Sequence, residues 1–223
     1  MTAKPYPTDL TDAEWDCIKN LIPPPKPGGR QRELDMRAVV NALFSVVDGG
    51  ITWRMLPHEY PKWQSVYGYF HPWRDSGDWQ RLHETLRAQV RQQAGRHQHP
   101  TAGCLESQSV KTTELGGARG DDSGKKVQGR KRHLLVDTLG LVLAVIVTAA
   151  SVSDPAGARL LLARLSGACK KLRLLWVDGT SRGHLVEWVA QHRRFVLRVT
   201  LRPEGCKGFV LLPRRWVVER SHL

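Results

Sequence analysis

Leu172-Arg173-Leu174-Leu175-Trp176-Val177-Asp178 is a short, nearly unbroken apolar run that ends on a carboxylate. Such a run reads as a strand buried on both faces, the kind that sits inside a sheet covered by helices. On its N-terminal side, Leu160, Leu161, Leu162 and Leu165 mark a helix that Asp154 is expected to cap. Before that helix, Lys131–Val136 and Leu141–Thr148 flank Asp137-Thr138-Leu139-Gly140, a hairpin signal in which Asp137 serves the turn. Earlier still, Ala102-Gly103-Cys104-Leu105-Glu106 is another short apolar run ending on an acid. The polar, Gly-rich stretch Ser107–Gly129 follows it. On the C-terminal side, Leu185, Val186, Trp188 and Val189 mark a helix and Phe195–Thr200 a strand. Pro213 is placed to start a last helix. The order strand, hairpin, helix, strand, helix, strand, helix predicts an α/β domain with a mixed sheet flanked by helices.

Residues 9–94 read differently, as an all-α region. Thr11-Asp12-Ala13-Glu14 is a capping box, followed by Trp15, Ile18, Leu21 and Ile22 at helical spacing and stopped by Pro23-Pro24-Pro25. A second helix is expected from about Asp35 to Val47, a third from Trp63 to Phe70 with Pro72 interrupting it, and a fourth at about 78–93 on Leu82, Leu86 and Val90. Helices this short fit a helix-turn-helix unit, with Trp63, Gln64, Ser65, Tyr67 and Tyr69 on the helix that would enter a DNA groove. They equally fit a small bundle whose aromatics are core. The expected organisation is a helical, DNA-binding-type domain over 1–95, a polar linker over 96–101 and the α/β domain over 102–223. His97 and His99 in the linker form a His-x-His pair without other ligands near in sequence, so they read as solvated.

Charge narrows the partner. Of the net +13, residues 1–100 hold little, with 13 Lys and Arg against 11 Asp and Glu, while the remainder carry 21 against 10. A positive field of this kind attracts a polyanion. No apolar stretch reaches the roughly 20 residues of a bilayer span, and the N-terminus lacks a signal-peptide core. Nucleic acid therefore precedes membrane as the polyanion. The four cysteines Cys17, Cys104, Cys169 and Cys206 form no C-x-x-C pair, which is expected of reduced thiols in a cytoplasmic protein. Lys125, Lys126, Arg130, Lys131 and Arg132 form the densest basic run, and DNA-backbone contact is expected of them. The Gly-rich segment before Lys125 misses the phosphate-loop spacing, which excludes that kind of nucleotide site.

Glu106 and Asp178 are both expected at the C-terminal ends of strands, where sites gather in open α/β sheets. Glu219, in Arg214-Arg215-Trp216-Val217-Val218-Glu219-Arg220, would join them from a short final helix. Any one acid at an element end is ordinarily a surface or capping residue. Three that converge repel one another unless divalent ions neutralise them. Two metal ions in such a pocket catalyse phosphodiester displacement, and magnesium suits hard oxygen donors.

These segments also carry a family resemblance. Tyr6-Pro7-Thr8-Asp9-Leu10-Thr11-Asp12-Ala13-Glu14-Trp15, Trp53-Arg54-Met55-Leu56-Pro57 and Lys125-Lys126-Val127-Gln128-Gly129-Arg130-Lys131-Arg132-His133-Leu134-Leu135-Val136-Asp137 resemble insertion-sequence DDE transposases over nearly the whole chain. The resemblance implies an RNase H-like catalytic domain preceded by a helix-turn-helix-like one. It also implies metal-dependent cleavage at transposon ends and joining to target DNA. Its acids fall on Glu106, before Ser107-Gln108-Ser109-Val110-Lys111, on Asp178, and on Glu219 of an R-x-x-x-E signature with Arg215. Two Mg2+ ions, with Mn2+ as substitute, double-stranded DNA and a homo-oligomeric active form are implied with them.

The chain departs from the pattern in places. Family members have Asp where Glu106 stands, and the extra methylene is expected to weaken the holding of metals about 3.5–4 Å apart. Gly179-Thr180-Ser181 replaces a glycine-and-tyrosine turn, and Leu212 stands where a Tyr is usual. Because the sequence stops at Leu223, it reads as C-terminally truncated and its activity as impaired. A non-catalytic DNA-binding remnant or inhibitor of full-length copies, and a simple metal-dependent nuclease, are the rival expectations.

Overall fold

The computed structural model describes residues 5–25, 28, 31–113, 116–165, 169–179 and 183–200. Two compact units divide the chain, Met1–Leu86 and Arg87–Leu223.

The first unit is helical. α1 (Asp12–Ile18) begins on the predicted capping box, with Thr11 and Glu14 bonding each other's backbone N–H. α2 (Met36–Gly49) is capped by Asp35, whose carboxylate accepts from the Arg37 N–H, and ends at Gly50 in the left-handed region. α3 (Trp63–Asp75) runs past Pro72 rather than stopping before it. The proline forfeits one helical N–H, but Val66 and Trp73 are buried on either side of it. Packing thus outweighs the local break. Ser76 and Gly77 (φ 75°) turn the chain into α4 (Asp78–Gln93). Val39, Val40, Leu43, Val66 and Trp73 form the core, with Trp15, Trp53, Trp63, Tyr69 and Trp79 packed around it. Within α4, Leu82 and Leu86 are half-buried as the stripe predicts, but Val90 is 44% exposed. Arg87 and Arg91 are buried in its place. Both belong to the second unit, where Arg87 donates to the Val142 carbonyl at 3.1 Å but keeps a buried Nε without an acceptor, and Arg91 pairs with the Asp137 carboxylate.

The second unit is a six-stranded mixed sheet. Its strands are β1 (Ala102–Lys111), β2 (Gly120–Asp122), β3 (Val127–Asp137), β4 (Val142–Ala149), β5 (Leu174–Val177) and β6 (Val196–Val199). β3 pairs antiparallel with β1, and β2 and β4 share the other edge of β3. β1 and β5 pair in parallel, as do β5 and β6. With helices α5 (Asp154–Ala163) and α6 (His184–His192), this is the RNase H-like arrangement. Among the described residues no helix is long and apolar enough to cross a membrane.

β5 is buried on both faces, as its composition requires. Leu175 and Val177 join Leu135, Leu161, Leu162, Leu185 and Val189 in the core beneath α5 and α6. Trp176 joins Cys104, Leu134 and Val136 on the opposite face. The hairpin turn also forms as expected, with the Asp137 carboxylate accepting from the N–H groups of Leu139 (2.8 Å) and Leu141 (3.0 Å).

Two local expectations are corrected. Glu106 does not end its strand: β1 continues through Ser107-Gln108-Ser109-Val110-Lys111, each residue paired with β3. These residues are polar because this part of the strand is only half-covered, not because it is a loop. Asp154 does not cap α5 either. The cap is Ser153, whose hydroxyl accepts from the Ala156 N–H at 3.4 Å, and Asp154 turns to a lysine instead.

Candidate active site

The parallel pairing of β1 with β5 aligns Ala102 with Leu174, Gly103 with Leu175 and Cys104 with Trp176. Carried two residues further, one past the end of β5 at Val177, the same offset would bring Glu106 level with Asp178. Side chains alternate along a strand, so Glu106, inside β1, takes the face of Cys104, while Asp178 directly follows the last residue of β5. Both carboxylate residues are half-buried, and Oε2 of Glu106 is closed off from solvent. Carboxylates such as these are the hard oxygen donors that a magnesium-type ion takes. Among the described residues, no group of three or more His, Cys, Asp or Glu side chains gathers as a metal site. Glu219 and Arg215 lie outside the described residues, as does the final helix expected at Pro213.

Alternation also divides the basic run. Arg130 and Arg132 share the face of Leu134 and Val136, and their partners on β1 are Val110 and Gln108. Since Glu106 pairs with Leu134, Arg132 stands one step along the same face and Arg130 two. Arg132 is exposed and donates to the Gln108 amide oxygen at 2.8 Å. Arg130 is half-buried and donates to the Gly117 carbonyl at 3.2 Å. Lys125 and Lys126 are exposed in the β2–β3 turn, and Lys125 Nζ reaches the Ser107 carbonyl at 3.1 Å.

Lys131 leaves this set. It is 4% exposed, on the opposite face, with Nζ 2.9 Å from Asp154, 3.1 Å from Asp122 and 3.0 Å from the Val152 carbonyl. Buried, bonded to the Val152 carbonyl and ion-paired with two acids, its ammonium is not presented to a phosphate. Desolvation works against its charge, but the hydrogen bonds to Asp154 and Asp122 prevail and raise its pKa. The Ser109 hydroxyl, before all, and then Lys131 hold Asp122 down at about 2. Burial pushes Asp154 up, but hydrogen bonds from Lys131 and Ser107 outweigh it and leave its pKa lowered. The sequence hinted at this trio only through period 2, which sets Lys131 in line with His133 and Leu135. Asp122 carried no signal of its own, and Asp154 read as a helix cap.

The histidines stand away from the carboxylate pair. His133 lies on the Lys131 face, fully buried, with Nε2 3.1 Å from the Thr148 hydroxyl. The Thr148 hydroxyl donates to the Ala149 carbonyl, so it accepts from a neutral His133 that carries its proton on Nε2. His184 is exposed and faces Glu187 at 3.6 Å. In the helical unit, Trp63 and Tyr69 pack against the core, whereas Gln64 and Tyr67 remain on the outer surface.

Comparison with known proteins places both units. Residues 97–222, more than half of the chain, match the transposase DDE domain model. Residues 10–83 match the model described as a putative transposase of the IS4/5 family. Over 95 residues the chain is 34% identical to the insertion element IS402 uncharacterized 16.2 kDa protein of Burkholderia cepacia. That stretch is 40% of this chain and spans 63% of the relative's length.

Proposed function

The chain belongs to the transposase DDE-domain family, and from that premise we propose that it cuts DNA at the ends of an insertion element and joins the freed 3′-hydroxyl to target DNA. The observation that supports this reading is the parallel β1–β5 register, Cys104 against Trp176, whose continuation would bring Glu106 level with Asp178. Family membership implies a divalent metal, and we assign Glu106 and Asp178 as holders of Mg2+, with Mn2+ as substitute and Glu219 as the third carboxylate. When bound, paired ions of this kind activate the attacking oxygen and stabilise the leaving one. Arg215 orients Glu219 or a phosphate. Arg132, Arg130, Lys125 and Lys126 hold the DNA backbone, the two arginines from the face that bears Glu106. The helical unit binds double-stranded DNA as well. A homo-oligomer in the cytoplasm is the active form proposed, since two element ends must be cut together.

The test is a strand-transfer assay with Mg2+ on duplexes copied from the DNA flanking the coding sequence. Joined products are expected, and Glu106→Asp should speed their formation, because the shorter side chain draws the carboxylate back toward the strand. DNA binding without cleavage would replace the proposal with a non-catalytic binder, and cleavage without joining with a nuclease. Undiminished joining by both Glu106→Gln and Asp178→Asn would end the site assignment.

A further inference from the structure

We propose that Lys131 is a positioning residue: with Asp122 and Asp154 it forms a latch on the covered face of the sheet that holds β1 where Glu106 leaves it. The inference rests on the assignment of Glu106 as a metal-holding acid. β5 ends at Val177, level with Leu105, so from Glu106 onward β1 has no β5 neighbour and pairs with β3 alone. A strand supported on one side twists and shifts more readily than one supported on both. The latch supplies the missing restraint from below. The Ser109 hydroxyl donates to Asp122, and hydrogen bonding from Ser107 is among the causes that lower the pKa of Asp154. Lys131, at 2.9 and 3.1 Å from the two acids, ties them to each other and to β3. Lys125 pins the Ser107 carbonyl from the turn. Ser107 follows Glu106 directly, so its restraint fixes the backbone on which that carboxylate stands. Asp154 begins α5, and this ties the acid's strand to the helix layer as well.

A lysine with two carboxylates is an unusual choice for a mere filler of sheet space, since an apolar group would pack there without the cost of desolvating charge. What charge and hydroxyl donors add is direction: each bond has a fixed length and angle, and together they locate β1 along its axis. A misplacement of the acid by 1 Å would cost up to about a hundredfold in rate.

The experiment uses the full chain and two small substitutions, Ser107→Ala and Ser109→Ala, singly and together. Mn2+ binding is read by electron paramagnetic resonance, and strand transfer is resolved into kcat and KM for flanking-end duplexes. The double variant is expected to stay folded, to keep its KM, to lose ~10-fold in kcat and to bind Mn2+ several-fold more weakly. Ser107→Thr, which retains the hydroxyl, should restore both readouts in the Ser107 background. Lys131→Met should lose more, and if it fails to fold the serine variants still decide. The proposal falls if the double variant matches the parent in Mn2+ affinity and kcat while Glu106→Gln lowers both. If Glu106→Gln itself leaves Mn2+ affinity unchanged, the site assignment fails and the latch has no acid to position.

Discussion

The imidazole of His133 occupies the space in which a Cβ on Gly157 would stand, so β3 and α5 touch with no side chain between ring and helix backbone. Gly157 lies inside α5, where exchanging Gly for Ala ordinarily adds about 1 kcal/mol of stability. Here overpacking opposes that gain and costs about 1–3 kcal/mol. The steric cost prevails, since neither the buried ring nor the helix backbone has room to give. Gly157→Ala is therefore expected to lower the urea midpoint. A raised midpoint would refute the contact.

Asp137 and Arg91 form a buried ion pair, with Asp137 fully enclosed and also accepting the two turn N–H groups. Removing one partner strands the other charge. Arg91→Met should cost about 3–5 kcal/mol, and Arg91→Met combined with Asp137→Asn should cost less than the sum of the two single changes. A double-mutant cycle by chemical denaturation reads the coupling, and additivity would exclude the pair.

Stability should fall with acid in two windows. Burial lowers the pKa of His133 from its ordinary 6.5. A group depressed in the folded state stabilises above its unfolded pKa, so its contribution drains away as pH falls below about 6.5. Asp122 has its folded value at about 2 against an ordinary 3.8. Its contribution is full above about 4 and disappears as pH falls through 2. Denaturation midpoints measured from pH 7 to 2 should flatten in the lower window for Asp122→Asn and in the upper one for His133→Gln. Variants with the parent's pH slope would remove these groups from the account.

Arg132 should neutralise a DNA phosphate. Arg132→Ala is expected to weaken binding to all duplex sequences alike and to reduce the slope of log affinity against log salt by about one. Titrations at several salt concentrations check this, and an unchanged slope would take Arg132 off the DNA-contacting face.

Much of the architecture was legible along the chain because burial writes itself into periodicity. The double-sided run Leu174–Val177 could only be an interior strand, the Thr11–Glu14 box could only start a helix, and Asp137 announced its turn. Local chemistry decides such features, and local chemistry is what a sequence displays. Where packing competes with local preference, the reading failed: α3 ran through Pro72, β1 ran on through Ser107–Lys111, and α4 buried Arg87 and Arg91 while exposing Val90. The sheet made the remaining decisions. Alternation on β3 sent Arg130 and Arg132 to the face of Glu106 and Lys131 beneath it, although the three are consecutive. Parallel register, a relation between residues 72 positions apart in number, set Cys104 beside Trp176. Composition determined that the chain is basic and which residue types could do chemistry. Only the tertiary structure decided which of them meet, because a charge's partners depend on distances through space that no stretch of neighbouring residues encodes.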